Sequence, residues 1–304
     1  MVPGYINVFY VSPMIFKGIY TALLTPFKNG RIDEKAFQSF VEWQINEGVH
    51  GLVPCGTTGE SPTLSHQEHN RVIDLCIEVA RGRVPVLAGT GSNSTDEAIM
   101  MSKHAKKAGA DGVLIVSPYY NKPTQEGIYR HFKAIATAVK LPLIVYNIPG
   151  RSVVNISDET LARLAEVAYI VGLKDATGDL ARVCTLREKL KKPWQLLSGE
   201  DMTAVAFNAS GGQGCISVTS NIAPKACAKV QEACLAGDYA KALKLHEVLV
   251  PLHEVMFCET SPVPVKFAAS LLGRCQADIR LPLVDAQEEN KKRIAQVLKK
   301  LRLL

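Results

Sequence analysis

The sequence predicts an α/β barrel of eight parallel strands alternating with helices, a (β/α)8 TIM barrel with a C-terminal helical appendage. Three observations carry this reading. Eight short apolar runs rich in β-branched residues occur at 19–24, 51–54, 85–88, 112–116, 143–146, 169–173, 195–197 and 215–218. Each is followed by a polar loop holding Gly or Pro and then by helical periodicity. Such alternation implies a parallel sheet with helices outside, and eight units imply closure. Beyond Gly237 the strand pattern stops, and 238–258, 262–272 and 285–302 read as helices. The pattern predicts an N-terminal extension (1–13), a barrel (14–237) and a helical domain (238–304).

Taken in order, the units show their own start and stop signals. The first strand leads into Thr25-Pro26, and Asp33 caps a helix carrying Phe37, Phe40, Val41 and Ile45. The second leads into Gly56-Thr57-Thr58-Gly59-Glu60. Ser65 and Glu68 then form a capping box ahead of Val72, Ile73, Cys76 and Val79, with Gly82 as the stop. The third leads into Gly89-Thr90-Gly91. Ser94 and Glu97 read as a second capping box, and Gly109 ends that helix. The remaining loops begin Ser117-Pro118-Tyr119-Tyr120, Asn147-Ile148-Pro149-Gly150-Arg151, Asp175-Ala176-Thr177-Gly178, Ser198-Gly199-Glu200-Asp201 and Thr219-Ser220-Asn221. Gly211-Gly212-x-Gly214 could suggest phosphate binding but reads better as the turn into the eighth strand.

Composition narrows the function. The 304 residues are 47% hydrophobic and 21% charged, the makeup of a folded globular chain. A net charge of +6, from 35 basic and 29 acidic residues, is spread out. It suits small anions and excludes the dense basic stripe of a nucleic-acid binder. The cysteines at 55, 76, 184, 215, 227, 234, 258 and 275 form no C-x-x-C pair. They read as buried thiols of a reducing compartment, neither a disulfide framework nor a zinc site. No apolar run reaches the roughly 18 residues of a membrane span. The first charge is Lys17, so the start of the chain lacks the basic segment of a signal peptide, and Met14 is a candidate start. Gly89-x-Gly91 lacks the third glycine and the later acid of a dinucleotide site.

In such a barrel, chemistry sits at the carboxyl ends of the strands. Lys174 closes the run Ile170-Val171-Gly172-Leu173. Burial there would depress its pKa and expose a neutral amine, as a Schiff-base nucleophile requires. The competing reading is a lysine snorkelling at the rim. Tyr146 ends the fifth strand, where a phenol could shuttle protons, and Arg151 follows, where a guanidinium fork could hold a carboxylate. Each alone reads equally as core tyrosine or solvated arginine; their shared placement at strand ends makes the set. The loops offer no three-histidine or His/carboxylate metal set.

Gly-Thr-Thr-Gly-Glu at 56–60, Tyr-Tyr-Asn-Lys-Pro at 119–123, Tyr-Asn-Ile-Pro-Gly-Arg at 146–151 and Lys-Asp-Ala-Thr-Gly at 174–178 resemble the dihydrodipicolinate synthase family. That family lies in the class I pyruvate aldolase superfamily with N-acetylneuraminate lyase. The resemblance runs from about residue 14 to the end, in order and in spacing. It implies condensation of pyruvate with L-aspartate 4-semialdehyde in lysine and diaminopimelate biosynthesis, in a cytoplasmic homotetramer built as a dimer of dimers. By the same resemblance Lys174 forms the imine, so no metal or organic cofactor is needed. Tyr146 relays protons through Thr57 to Tyr120, which reaches in from a neighbouring subunit. Thr58 holds the pyruvate carboxylate and Arg151 that of the semialdehyde. Gly199 and Ile216 line the pocket through backbone groups. Ser152 departs from the threonine of many members but keeps the hydroxyl.

Ser61, His66, His69, Asn93, Glu97 and Tyr119 match the lysine-binding site of lysine-sensitive members, which implies L-lysine as an inhibitor. Glu97 would pair with the ligand ammonium, while Asn93 and Tyr119 would hydrogen-bond it. Glu97 also reads as the acid of the Ser94 capping box, and Pro62 departs from the alanine of sensitive bacterial members. Two other readings stay open at this level. A sugar-acid or N-acetylneuraminate lyase would keep Lys174 and Tyr146, although Thr57-Thr58 and Arg151 disfavour it. A retired binding barrel would be expected to have lost the lysine or the tyrosine.

Overall fold

A computed structural model describes residues 16–304; the expected extension at 1–13 and the candidate start at Met14 lie outside the described residues. Eight parallel strands form the barrel: β1 (Gly18–Ala22), β2 (Gly51–Val53), β3 (Leu87–Gly89), β4 (Gly112–Val116), β5 (Leu143–Asn147), β6 (Ile170–Asp175), β7 (Gln195–Ser198) and β8 (Gly214–Ser217). Their order is β2-β1-β8-β7-β6-β5-β4-β3. A parallel bridge between Leu52 and Val86 joins β2 to the chain entering β3 and closes the ring.

Helices return the chain between strands: α1 (Glu34–Asn46), α2 (His66–Ala80), α3 (Thr95–Ala108), α4 (Gln125–Val139), the single turn α5 (Pro149–Ser152), α6 (Asp158–Ala165), α7 (Ala181–Lys189), α8 (Ala204–Ala209) and α9 (Pro224–Leu235). Side-chain oxygens of Asp33, Ser65, Ser94, Thr124 and Ser157 accept the orphan amides at five of their starts. Ser65 and Glu68 complete the capping box; Ser94 does not, because the Glu97 carboxylate turns elsewhere. A two-residue hairpin, 27–28 with 31–32, and the turn α5 add to the elements read from sequence.

Strands buried on both faces explain the continuous apolar runs. One face packs on the helices through residues such as Ile19, Leu52, Val113, Val145 and Leu173. The other fills the barrel with Phe16, Tyr20, Leu87, Leu114, Ile144, Tyr146, Leu197 and Ile216. Gly51 makes room for the ring of Tyr20: a Cβ at residue 51 would fall 2.0 Å from that ring. The chain ends in α10 (Tyr239–Val255), α11 (Val263–Leu271) and α12 (Glu288–Lys300). α10 packs on α9, and α12 covers α10 and α11. No helix among the described residues is long and apolar enough to cross a membrane.

An ion-paired seam fixes this appendage to the barrel. Lys266 of α11 donates to Glu60 Oε1 at 2.5 Å, with both side chains 1% exposed. The backbone amide of Arg280 donates to Glu60 Oε2 at 3.0 Å, and its guanidinium forks onto Glu68 at 2.6 and 2.8 Å. Glu60 ends the loop that carries Thr57 and Thr58, and its φ of 54° lies in the left-handed region.

Candidate active site

The carboxyl ends of the strands surround a cavity of about 440 Å³. Thr57, Thr58, Tyr146, Arg151, Lys174 and Gly199 line it, together with Ser61, His66, His69, Glu97 and Tyr119. Of the sequence-derived site residues, three do not line it. Ile216 lies within the inner barrel cluster beside Leu197. Asn93 donates to the Tyr119 carbonyl at 3.3 Å and accepts from Asn121 at 3.0 Å, so its polar groups brace the loop. Tyr120 is 90% exposed on a φ of 70°, turned away from the cavity of its own chain.

Lys174 sits inside β6, one residue before the strand ends, and is buried. Its Nζ lies 4.1 Å above the centre of the Tyr146 ring. Those two residues are direct register partners across β5 and β6. Among the described residues no carboxylate pairs with the amine, and burial pushes its pKa down to about 8. Arg151 acts in the same direction; Asp201 and Glu200 partly oppose it. Gly199 keeps β7 against this side chain, since a Cβ there would fall 3.0 Å from Lys174 Cε. Its N–H is given to the Asp175 carbonyl at 2.6 Å. Burial raises the Tyr146 phenol above its usual range, against the Arg151 charge and a hydrogen bond from Thr57.

The residues flanking this pair are pinned beneath it. Asn147, next to Tyr146, donates to Asn155 at 2.8 Å and accepts from the Ile156 amide at 3.1 Å. Buried Arg182 binds Asn155 and Asp158 at 3.0 and 2.8 Å and approaches Asp175, next to Lys174, at 3.7 Å. Arg151 donates to the Ser261 carbonyl at 3.1 Å, and Ser261 and Phe257 bring the helical appendage into the cavity wall.

At the outer side, Glu97 accepts from Ser92 and lies 3.2 Å from His66 Nε2. The Ser94 hydroxyl meets only the Glu97 amide, at 3.5 Å. The expected second capping box is therefore half formed: Glu97 directs its charge into the cavity, where Ser92 and His66 offer better partners than the Ser94 amide, itself bound to Ser92 Oγ at 3.0 Å. His69 is buried and donates Nε2–H to the Gly89 carbonyl at 2.9 Å. Burial pushes its pKa down to about 4, so it is neutral at pH 7.

Sequence reading missed Glu200 and the seam residues Glu60, Lys266 and Arg280. For Glu200 the signal was present, an acid two residues past a strand end. For the seam, partners 206 residues apart left no local signal.

Comparison with known proteins identifies the family. The model of the "Dihydrodipicolinate synthetase family" matches residues 15–301. The 4-hydroxy-tetrahydrodipicolinate synthase of Rhodospirillum centenum is 60% identical over 95% of this chain and 100% of its own length. That of Parvibaculum lavamentivorans is 57% identical over the same shares. A dihydrodipicolinate synthase of Acinetobacter baumannii, solved with pyruvate, superposes with a TM-score of 0.93 at 47% identity, covering 95% of this chain and 99% of that one. The enzyme of Cyanidioschyzon merolae, solved with lysine bound, gives 0.92 at 37% identity over the same shares. The chain belongs to the dihydrodipicolinate synthetase family.

Proposed function

We propose that this chain is a 4-hydroxy-tetrahydrodipicolinate synthase that condenses pyruvate with L-aspartate 4-semialdehyde through an imine on Lys174. The observation that carries the reading is the amine of Lys174: buried, unpaired by any carboxylate among the described residues and seated over Tyr146 at the open end of the barrel. A pKa near 8 leaves about a tenth of it neutral at pH 7, enough for attack on a ketone. Loss of a methyl proton gives the enamine, whose carbon adds to the aldehyde; the imine nitrogen takes the role of electron sink. The substrate amine then displaces Lys174 and closes the ring.

Tyr146, bonded by Thr57, moves the protons of these steps. Thr58 holds the pyruvate carboxylate, and Arg151 holds the carboxylate of the semialdehyde through the guanidinium nitrogens not given to Ser261. Gly199 supplies its carbonyl, its N–H being engaged. Tyr120 completes the relay of a neighbouring copy in a homotetramer, which accounts for a tyrosine that is 90% exposed in one chain. The setting is the cytoplasm, on the route to lysine and diaminopimelate.

Feedback by L-lysine fits the outer part of the cavity. Glu97, His66 and Tyr119 all line it, and the Glu97 carboxylate, which does not cap α3, is turned towards it, where an ammonium would compete with Ser92 and His66. Ser61 and His69 complete the wall, and Asn93 holds Tyr119 in place. The parent activity is tested by a coupled assay with pyruvate and L-aspartate semialdehyde, beside one with pyruvate and N-acetylmannosamine. Turnover of the first pair is expected. Turnover of only the second would replace the reading with a lyase.

A further inference from the structure

The aldehyde substrate carries an ammonium as well as a carboxylate, and the residues assigned above leave that ammonium without a partner. Among the described residues two carboxylates line the cavity, Glu97 and Glu200. Glu97 lies on the outer side with Ser92 and His66, in the part of the cavity assigned above to L-lysine. Glu200 lies on the Lys174 side. It directly follows Gly199, which packs against the Lys174 side chain. Its backbone is held at both ends by one hydroxyl: Ser198 Oγ donates to the Glu200 carbonyl at 2.8 Å and accepts its N–H at 3.1 Å. Its carboxylate, in contrast, meets only the Met202 amide, at 3.4 Å, which leaves the second oxygen unclaimed. The position is fixed and the charge is unspent.

We propose that Glu200 binds the ammonium of the semialdehyde and takes a proton from it, so that the amine can displace Lys174. The proposal rests on the synthase reading above. Transimination needs the nitrogen lone pair, and an ammonium has none. Glu200 carboxylate accepts one proton from R–NH3+. The freed amine adds to the carbon of the Lys174 iminium, forming the new C–N bond. A proton passes from the ring nitrogen to the lysine nitrogen, and the bond from carbon to Lys174 Nζ breaks. The products are the ring iminium, neutral Lys174 and protonated Glu200, with charge and hydrogens conserved. Half-burial suits this role. Desolvation and the charge of Asp201 raise the Glu200 pKa, which makes it a better proton acceptor, while Lys174 and the Met202 amide oppose this. The assignment also divides the substrate: Arg151 holds its carboxylate and Glu200 its nitrogen, so one face selects for an amino acid.

The test compares the unsubstituted chain with Glu200→Gln and Glu200→Asp, using pyruvate with L-aspartate semialdehyde or with its amine-free analogue 4-oxobutanoate. Borohydride trapping of pyruvate on Lys174 should be the same in all three, which shows that the variants fold and form the imine. Addition of 4-oxobutanoate, read as adduct mass on the intact protein, should also be unchanged. With L-aspartate semialdehyde, Glu200→Gln should lose roughly 10²–10⁴ in turnover and accumulate the full pyruvate–semialdehyde adduct on Lys174, and Glu200→Asp should recover part of it. Equal losses with both aldehydes, or wild-type turnover in Glu200→Gln, would overturn the proposal. No turnover by the unsubstituted chain would instead refute the parent synthase reading, and the proposal with it.

Discussion

Two buried lysines, one at the barrel mouth and one in the seam beneath the helical appendage, occupy nearly the same local geometry. Lys174 Nζ lies 4.1 Å over the ring of Tyr146, and Lys266 Nζ lies 4.0 Å over the ring of Phe27. Burial lowers both pKa values. What separates them is the anion. Lys266 has Glu60 at 2.5 Å, a carboxylate held in turn by the Arg280 amide. Lys174 has no carboxylate of the described residues within hydrogen-bonding reach, and its ring carries a hydroxyl bonded by Thr57. A buried amine with a counter-ion is a fastening; a buried amine without one is a nucleophile held at a cost in stability. The loop 56–60 connects the two regions, since it ends in the partner of one lysine and carries the threonines beside the other.

Four single substitutions, one with a compensating partner, break this comparison, in falling order of effect. Tyr146→Phe gives Lys174 the same plain ring that Lys266 has. Turnover should fall by roughly 10²–10⁴ with the melting temperature nearly unchanged; a loss within a few-fold would remove Tyr146 from the relay. Lys266→Met leaves Glu60 buried and unpaired, so urea unfolding at pH 7 should show a loss of about 3–5 kcal/mol. Lys266→Met combined with Glu60→Gln should recover much of it, and a mild loss in the single variant would mean the seam is solvated. Lys174→Met should do the reverse and stabilise the inactive protein. Unfolded lysine holds its proton to about pH 10.5, folded Lys174 only to about 8, so the native state is penalised at pH 7 and the penalty fades between pH 8 and 10.5. The gain should be about 1–3 kcal/mol at pH 7 and vanish by about pH 11. A destabilised Lys174→Met would contradict the contrast. Smallest is Glu97→Ala: half-inhibition by L-lysine should shift by about tenfold, a typical coupling energy, with uninhibited turnover intact.

The same contrast explains what could be read from the sequence. Strands and helix starts are local, so the eight runs, the Asp33 cap and the Ser65–Glu68 box were legible within a few residues of each feature. Lys174 was legible because a lysine at the end of an apolar strand has a position of known meaning in a barrel. Lys266 was not: nothing within the apolar stretch Val263–Leu271 points to Glu60, which arrives from the other end of the chain. Glu97 shows the limit of local rules. Its spacing from Ser94 is right for a capping box, yet Ser92 and His66 compete for the carboxylate. Nothing local in the sequence marks Tyr120 as 90% exposed, its relay role having come from the resemblance alone, and Ile216 lies within the barrel because the inner cluster takes its side chain.

The central claim, that the unpaired lysine is the reacting one, is tested most directly by trapping. The intact protein is incubated with pyruvate, reduced with borohydride, digested and mapped by mass. One pyruvyl-derived adduct is expected, on Lys174, absent from Lys174→Ala and from Lys174→Arg, whose guanidinium stays protonated. Its yield should rise through about pH 8 as the amine is freed. An adduct on Lys266, on Lys122 or on several lysines alike would contradict it.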